Sequence, residues 1–133
     1  MPLLVKLAHF ADDRAIGAFV AATAAFVAGY AAINTIPAPL VDAAGRPALP
    51  GAGREIGGVC GAAIRCAGLD MTRRLAGARD RLELDVAIIG GGGVACADDA
   101  LAYRRAGADA VTSATGAMWN PGLAHEVRAA SLT

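Results

Sequence analysis

The stretch "IIGGGGV", residues 88–94, holds the densest candidate chemistry in this chain. Two β-branched residues lead into Gly90, Gly91, Gly92 and Gly93, and a third follows. Glycine loses more backbone freedom on folding than any other residue, so four in a row need a reason. Either the chain turns sharply there, or something large approaches the backbone closely. Glycines let backbone N–H groups face a ligand with no Cβ in the way, as in phosphate-cradling turns. Glycine-rich turns also end many strands, so the run alone is weak evidence. A second stretch, Ala114-Thr115-Gly116, adds a hydroxyl donor, and the two together point to a phosphate. Lys6 supplies a cation. Asn34-Thr35 supplies an amide that both donates and accepts, beside a hydroxyl.

These residues gain meaning from the elements that must position them. Residues 3–7 read as a short buried strand. Residues 12–28 read as a helix, with Asp12 and Asp13 where a helix N-terminus favours negative charge. A second strand is expected over 30–36, then a Pro/Gly-rich loop without periodicity over 37–61. Loops of that length inside a domain are usually functional or disordered. A helix over 62–82, a strand over 84–89, a helix over 96–108, a strand over 109–114 and a helix over 120–130 complete the pattern. Gly107 sits at the expected end of the third helix. Four β-α units in succession predict an α/β fold with parallel strands and right-handed crossovers. A closed (β/α)8 barrel needs eight units and about 200 residues or more. This 133-residue chain is therefore expected to be a single partial domain over 1–133, either an open four-stranded sheet or half a barrel.

Parallel β-α folds place ligands at the C-terminal ends of their strands. Lys6, Asn34-Thr35, the glycine run and residues 114–116 all fall at such ends. The last two lie beyond consecutive strands, where barrels commonly bind phosphate. The helix starting near Ala97 would add the positive end of its dipole.

Composition bounds the alternatives. Twelve basic and twelve acidic side chains cancel, so nothing suggests nucleic acid or an anionic surface as partner. Hydrophobic residues reach 56% while aromatic ones are only 5%, so burial must rely on aliphatic side chains and small methyls. Cys60, Cys66 and Cys96 form no CxxC pair and lie near no histidine, so no metal site is expected. An odd cysteine count and no recognisable leader fit reduced thiols in a cytoplasmic protein. Residues 15–40 carry no charge, which satisfies the length rule for a membrane span. However, Ile16, Phe19, Val20, Thr23 and Val27 share one helical face, so a core helix is expected and no membrane partner. His9 lies just past the first strand and His125 on the last helix; a lone histidine is more often structural or exposed, and neither reads as catalytic.

The ordered set "VKL", "AINTI", "GGVCGAAIR" and "AIIGGGGV…DDALAYRRAGADAVTSATGAMWNP" resembles the C-terminal half of dihydroorotate dehydrogenases. It is also similar to the FMN domain of dihydropyrimidine dehydrogenases. The likeness covers nearly all the chain, and the set is specific although no single piece is. It implies a TIM barrel that binds FMN and oxidises dihydroorotate to orotate in pyrimidine (UMP) biosynthesis. By this resemblance, Lys6 corresponds to the strand-end lysine beside the flavin ring, where its ammonium stabilises negative charge on the reduced cofactor. Without the resemblance, Lys6 reads as a lysine reaching from a strand end to solvent. Asn34 corresponds to the asparagine that hydrogen-bonds the pyrimidine substrate, with Thr35 beside it; a turn-capping asparagine is the plainer alternative. Gly58 and Gly61 correspond to glycines that let the backbone pass close to the cofactor. Gly92, Gly93, Ala114 and Thr115 correspond to phosphate ligands.

Three positions depart from the family pattern. Ala114 replaces a common glycine but keeps its N–H, Gly91 makes the loop looser, and Cys60 stands where relatives carry serine or another small residue. Cys60 is expected to be a small residue under the flavin and not a base. In the family, the general base and the first flavin-binding segment precede the strand carrying Lys6, so no catalytic residue is assigned here. The expectation is a flavoprotein half, inactive alone, that associates with itself or with an N-terminal half-barrel. The alternatives are a truncated, non-catalytic fragment, or an FMN domain acting on another pyrimidine such as uracil.

Overall fold

The computed structural model describes residues 1–131. The chain starts with strand β1 (Leu4–Leu7), followed by helix α1 (Asp13–Thr23). Asp12 starts that helix by accepting the N–H of Arg14 at 2.9 Å, which satisfies a donor the first turn leaves free. A 3-10 turn over Ala24–Phe26 leads into β2 (Gly29–Ala32). Next comes an antiparallel ribbon of β3 (Ile36–Pro39) and β4 (Ile56–Val59). A 3-10 turn over Gly61–Ile64 then enters α2 (Arg65–Arg81). The remaining elements are β5 (Ala87–Gly91), α3 (Ala97–Arg105), β6 (Ala110–Thr112), α4 (Thr115–Trp119) and α5 (Leu123–Ala130).

Four strands form one parallel sheet in the order β1-β2-β5-β6. Each is followed by helix, so the four predicted β-α units are present, and the fold is that of a partial α/β barrel. The pleat divides each strand between two faces. Leu7, Tyr30, Ala32 and Ile88 turn toward the helices, where they meet Ile16, Val20, Met71 and Leu75 in the main core. Fully burying an aliphatic side chain of this size contributes about 1.5–3 kcal/mol, so this layer holds helices and sheet in register. The opposite face carries Leu4, Lys6, Ala31 and Ile89, aligned by the pairings Lys6↔Ala31 and Ala31↔Ile89. That face opens onto the cavity described below.

Three local expectations need correction. The second strand leaves the sheet at Ala32, four residues earlier than the pattern suggested. The stretch 37–61 is not structureless, because it contains most of the β3–β4 ribbon, paired from Ile36↔Val59 to Pro39↔Ile56. Pro37 and Pro39 alternate along one strand, and Gly57 and Gly58 occupy the middle of the other. Proline is confined largely to edge strands and glycine weakens a strand, so the usual apolar alternation is missing. The first helix stops at Thr23, whose hydroxyl donates to the Phe19 carbonyl and also meets the Tyr30 hydroxyl, each at 2.7 Å. Among the described residues, no helix is long and apolar enough to cross a membrane.

Candidate functional site

The four consecutive glycines answer to different constraints. A Cβ on Gly90 would lie 2.5 Å from the Tyr103 ring, and one on Gly91 would lie 2.5 Å from the Thr112 side chain. These two are empty because neighbours fill the space. Gly92 and Gly93 have φ of +117° and +71°, in the left-handed region that side chains disfavour. A Cβ on Gly93 would also sit 2.7 Å from the Gly61 carbonyl. The chain therefore turns at 92–93 while pressed against the backbone that precedes α2.

The turn is held from behind. The Gly91 carbonyl accepts the Ile33 N–H at 3.0 Å. The Tyr103 hydroxyl donates to the Gly92 carbonyl at 2.7 Å, and the Ser113 hydroxyl donates to the Val94 carbonyl at 2.7 Å. The Ala95 N–H goes to the Asp99 carboxylate at 2.9 Å, and Asp99 also pairs with Arg65. Gly116 rests on the same turn, since a Cβ there would lie 2.0 Å from the Val94 carbonyl. Residues 91–95 and 113–116 thus form one packed unit at the C-terminal ends of β5 and β6.

This unit is one wall of a cavity of about 700 Å³, within the range of small-molecule sites. Lys6 lines it from the end of β1, and Asn34 and Thr35 line it from the segment after β2. Gly61, Gly92, Gly93, Ala114 and Thr115 line it from the other three loops. The strand ends therefore converge, and all but one of the candidate residues share the cavity. The exception is Gly58, which lies in β4 behind Thr35; a Cβ there would come within 2.5 Å of the Thr35 hydroxyl. Its bareness makes room for Thr35. The Asn34 side-chain oxygen accepts the N–H of the next residue, Thr35, at 2.9 Å. Its amide NH2 has no protein acceptor among the described residues. Cys60 also lines the cavity, and its sulfur accepts a contact from the Thr115 hydroxyl at 3.5 Å.

Electrostatics around the turn centre on Asp99, buried in the first turn of α3. Burial raises the pKa of its carboxyl, but the Ala95 N–H, the Arg65 guanidinium and the Cys96 thiol outweigh burial and hold it below the ordinary carboxylate value. Arg65 is in turn held more firmly protonated, first by its hydrogen bond to Asp99. Burial, followed by the charge of Asp99, pushes the Tyr103 phenol up to about 12. Sequence reasoning missed Asp99, Tyr103, Ser113 and Arg65. Only Asp99 carried a signal, as an acid in a first helical turn. Tyr103 had none, because its role depends on which backbone it meets after folding.

A family profile described as "Dihydroorotate dehydrogenase" matches residues 1–129. Dihydroorotate dehydrogenase of Dictyostelium discoideum is 35% identical over 126 residues, which is 93% of this chain and 34% of that protein. The catalytic subunit of dihydroorotate dehydrogenase B (NAD(+)) from Alkaliphilus oremlandii is 35% identical over 126 residues, covering 95% of this chain and 39% of that protein. The chain thus spans about a third of the length of these curated relatives. Among solved structures, dihydroorotate dehydrogenase of Eimeria tenella in complex with ferulenol superposes with a TM-score of 0.74 at 24% identity. That match covers 96% of this chain and 32% of the other. With the profile covering nearly every residue and the barrel-type strand ends gathered around one cavity, the chain belongs to the dihydroorotate dehydrogenase family.

Proposed function

We propose that this chain carries the FMN-phosphate half of an enzyme that oxidises dihydroorotate to orotate, and that it is inactive without the other half of the barrel. One observation carries the reading: Lys6, Asn34-Thr35, the 91–95 turn and residues 113–116 open into a single cavity at the strand ends. The residues fit the cofactor. Among the described residues, the Gly93 and Val94 N–H groups have no protein acceptor, and the cavity lining contains no carboxylate to repel a dianion. In this reading, backbone donors of the turn, with Thr115 opposite, hold the phosphate. When bound, FMN supplies the hydride acceptor. Lys6, which lines the same cavity, would favour negative charge on the flavin ring with its ammonium. The Asn34 amide NH2 and the Thr35 hydroxyl are then available to the polar edge of a pyrimidine.

Proton abstraction needs a base. By the family resemblance that group precedes the strand carrying Lys6, and in this reading it comes from outside these residues. Cys60 of the cavity lining is then a small residue under the flavin and not the base. The Alkaliphilus oremlandii relative is named as a catalytic subunit, which supports a working assembly larger than one chain. In the test, the purified chain is incubated with FMN, gel-filtered and scanned for retained flavin absorbance, then given dihydroorotate without air. Retained flavin with no bleaching is expected. No retained flavin removes the cofactor assignment, and bleaching by the chain alone removes the claim of inactivity.

The same likeness supports a second reading, an FMN domain acting on another pyrimidine. Parallel titrations with dihydroorotate and dihydrouracil, in the chain complemented by the N-terminal half of a relative, separate the two.

A further inference from the structure

The glycines explain why the 91–95 turn is possible, but they do not explain what holds its peptides in one orientation. A glycine peptide is free to flip, and a flipped Gly92–Gly93 peptide would present a carbonyl to an incoming anion. In a planar trans peptide, C=O and N–H point in opposite directions, so holding one aims the other. Tyr103 does this for Gly92. Its ring is fully buried and occupies a slot left by two bare positions: a Cβ on Gly90 would hit the ring at 2.5 Å, and a Cβ on Gly68 would hit the hydroxyl at 2.0 Å. The hydroxyl emerges from that slot onto the Gly92 carbonyl at 2.7 Å. Ser113 repeats the arrangement two peptides later, donating to the Val94 carbonyl at 2.7 Å while Asp99 takes the Ala95 N–H from the same peptide. Ile33 holds the Gly91 carbonyl. The peptide that begins at Gly93 is left unclamped, between two that are fixed.

We propose that Tyr103 and Ser113 are positioning residues for anion binding. They grip the Gly92 and Val94 carbonyls from behind, so the Gly93 N–H stays turned toward the cavity and a phosphate monoester is bound by a preset donor array. The inference rests on the phosphate assignment above and adds what sets its strength. It also gives the glycine run a second purpose. Gly90 and Gly68 are bare so that a phenol can pass between sheet and helix and reach the turn. Tyr103 never touches the anion. Its hydroxyl remains a donor at any working pH, since burial keeps it protonated up to about 12.

FMN and riboflavin differ only in the phosphate, so the ratio of their affinities isolates the turn. Flavin fluorescence quenching is measured for the wild-type chain, Tyr103→Phe and Ser113→Ala, with inorganic phosphate as competitor and thermal unfolding followed in parallel. The wild type is expected to prefer FMN and to release it to phosphate. Tyr103→Phe is expected to cut the FMN-to-riboflavin preference about tenfold, with riboflavin affinity unchanged. Ser113→Ala should move the same ratio in the same direction, and it carries the test if Tyr103→Phe fails to fold. A folded variant that keeps the wild-type preference overturns the clamp and leaves the phosphate site standing. A wild type with no preference for FMN overturns the phosphate site and the clamp together. A loss that falls equally on FMN and riboflavin also overturns the clamp, because it marks general damage to the fold.

Discussion

At the scale of single residues, the turn depends on two buried groups whose ionisation is opposed in sign. Asp99 gives up its proton more readily in the folded chain than in the unfolded one. Its stabilising contribution is therefore complete above the ordinary aspartate value of about 4 and fades as pH falls through the lowered folded value. Tyr103 behaves in the reverse manner. Its phenol holds its proton up to about 12 when folded, against about 10 for a free tyrosine. The stability it contributes is present below pH ~10 and lost as pH rises toward the folded value. Urea unfolding across pH should show a plateau bounded by both limbs. Asp99→Asn should flatten the acid limb, and Tyr103→Phe the alkaline one. A variant that keeps its limb would show that the group plays no part in it. The site was legible at this scale as far as chain-local chemistry reaches. Lys6, Asn34 and the bare turn could be picked out because they fall at strand ends in an ordered set that resembles a family, and not by their types alone. Tyr103 and Ser113 could not, because a hydroxyl aimed at a carbonyl leaves no mark in a sequence until the fold brings the two together.

At the scale of elements, helix α2 shows how one residue type serves two ends. Gly68 and Gly77 both interrupt its interior, where replacing glycine by alanine ordinarily stabilises a helix by about 1 kcal/mol. A Cβ on Gly77 would meet only the end of the Arg81 side chain, at 3.8 Å, so Gly77→Ala should gain up to that amount. A Cβ on Gly68 would lie 2.0 Å from the Tyr103 hydroxyl and 2.8 Å from the Gly91 carbonyl, so Gly68→Ala must push α2 away from the sheet. It should cost about 1–3 kcal/mol, the usual penalty for overpacking. Chemical denaturation of the two variants side by side checks the contrast, and equal shifts would remove the close-contact explanation. The elements themselves were legible where a periodic apolar face had to meet a core, as in β1, α2, β5 and α3. The β3–β4 ribbon was hidden because Pro37, Pro39, Gly57 and Gly58 mask its strand character. The end of α1 was hidden too, because Thr23 closes it through a hydroxyl bond to Phe19 and a contact with Tyr30 from the neighbouring strand.

At the scale of the whole molecule, the sheet is finished on one face and open on the other. Helices cover Tyr30 and Ile88 completely, whereas Leu4 on the opposite face of the first strand remains 49% exposed. In the described residues β1 and β6 each pair on one side only, so both edges present free N–H and C=O groups. Parallel sheets normally have both faces buried, and unpaired parallel edges invite further strands. The open face, together with a length about a third of the curated relatives, supports association with a complementary half or with another copy. Leu4 is the residue to test because it lies on that face, at the β1 edge, and outside the cavity lining. Leu4→Lys puts a charge on the edge, which blocks strand addition at small cost in an already exposed position, within about 0.5 kcal/mol. Light scattering with gel filtration over a range of concentrations should show the wild-type chain gaining mass as it is concentrated, and Leu4→Lys remaining at the monomer mass. If the wild type stays monomeric throughout, the open face does not drive association. If both chains gain mass alike, association runs through β6 or the exposed Met118-Trp119 pair, and Trp119→Ser is the next variant to measure.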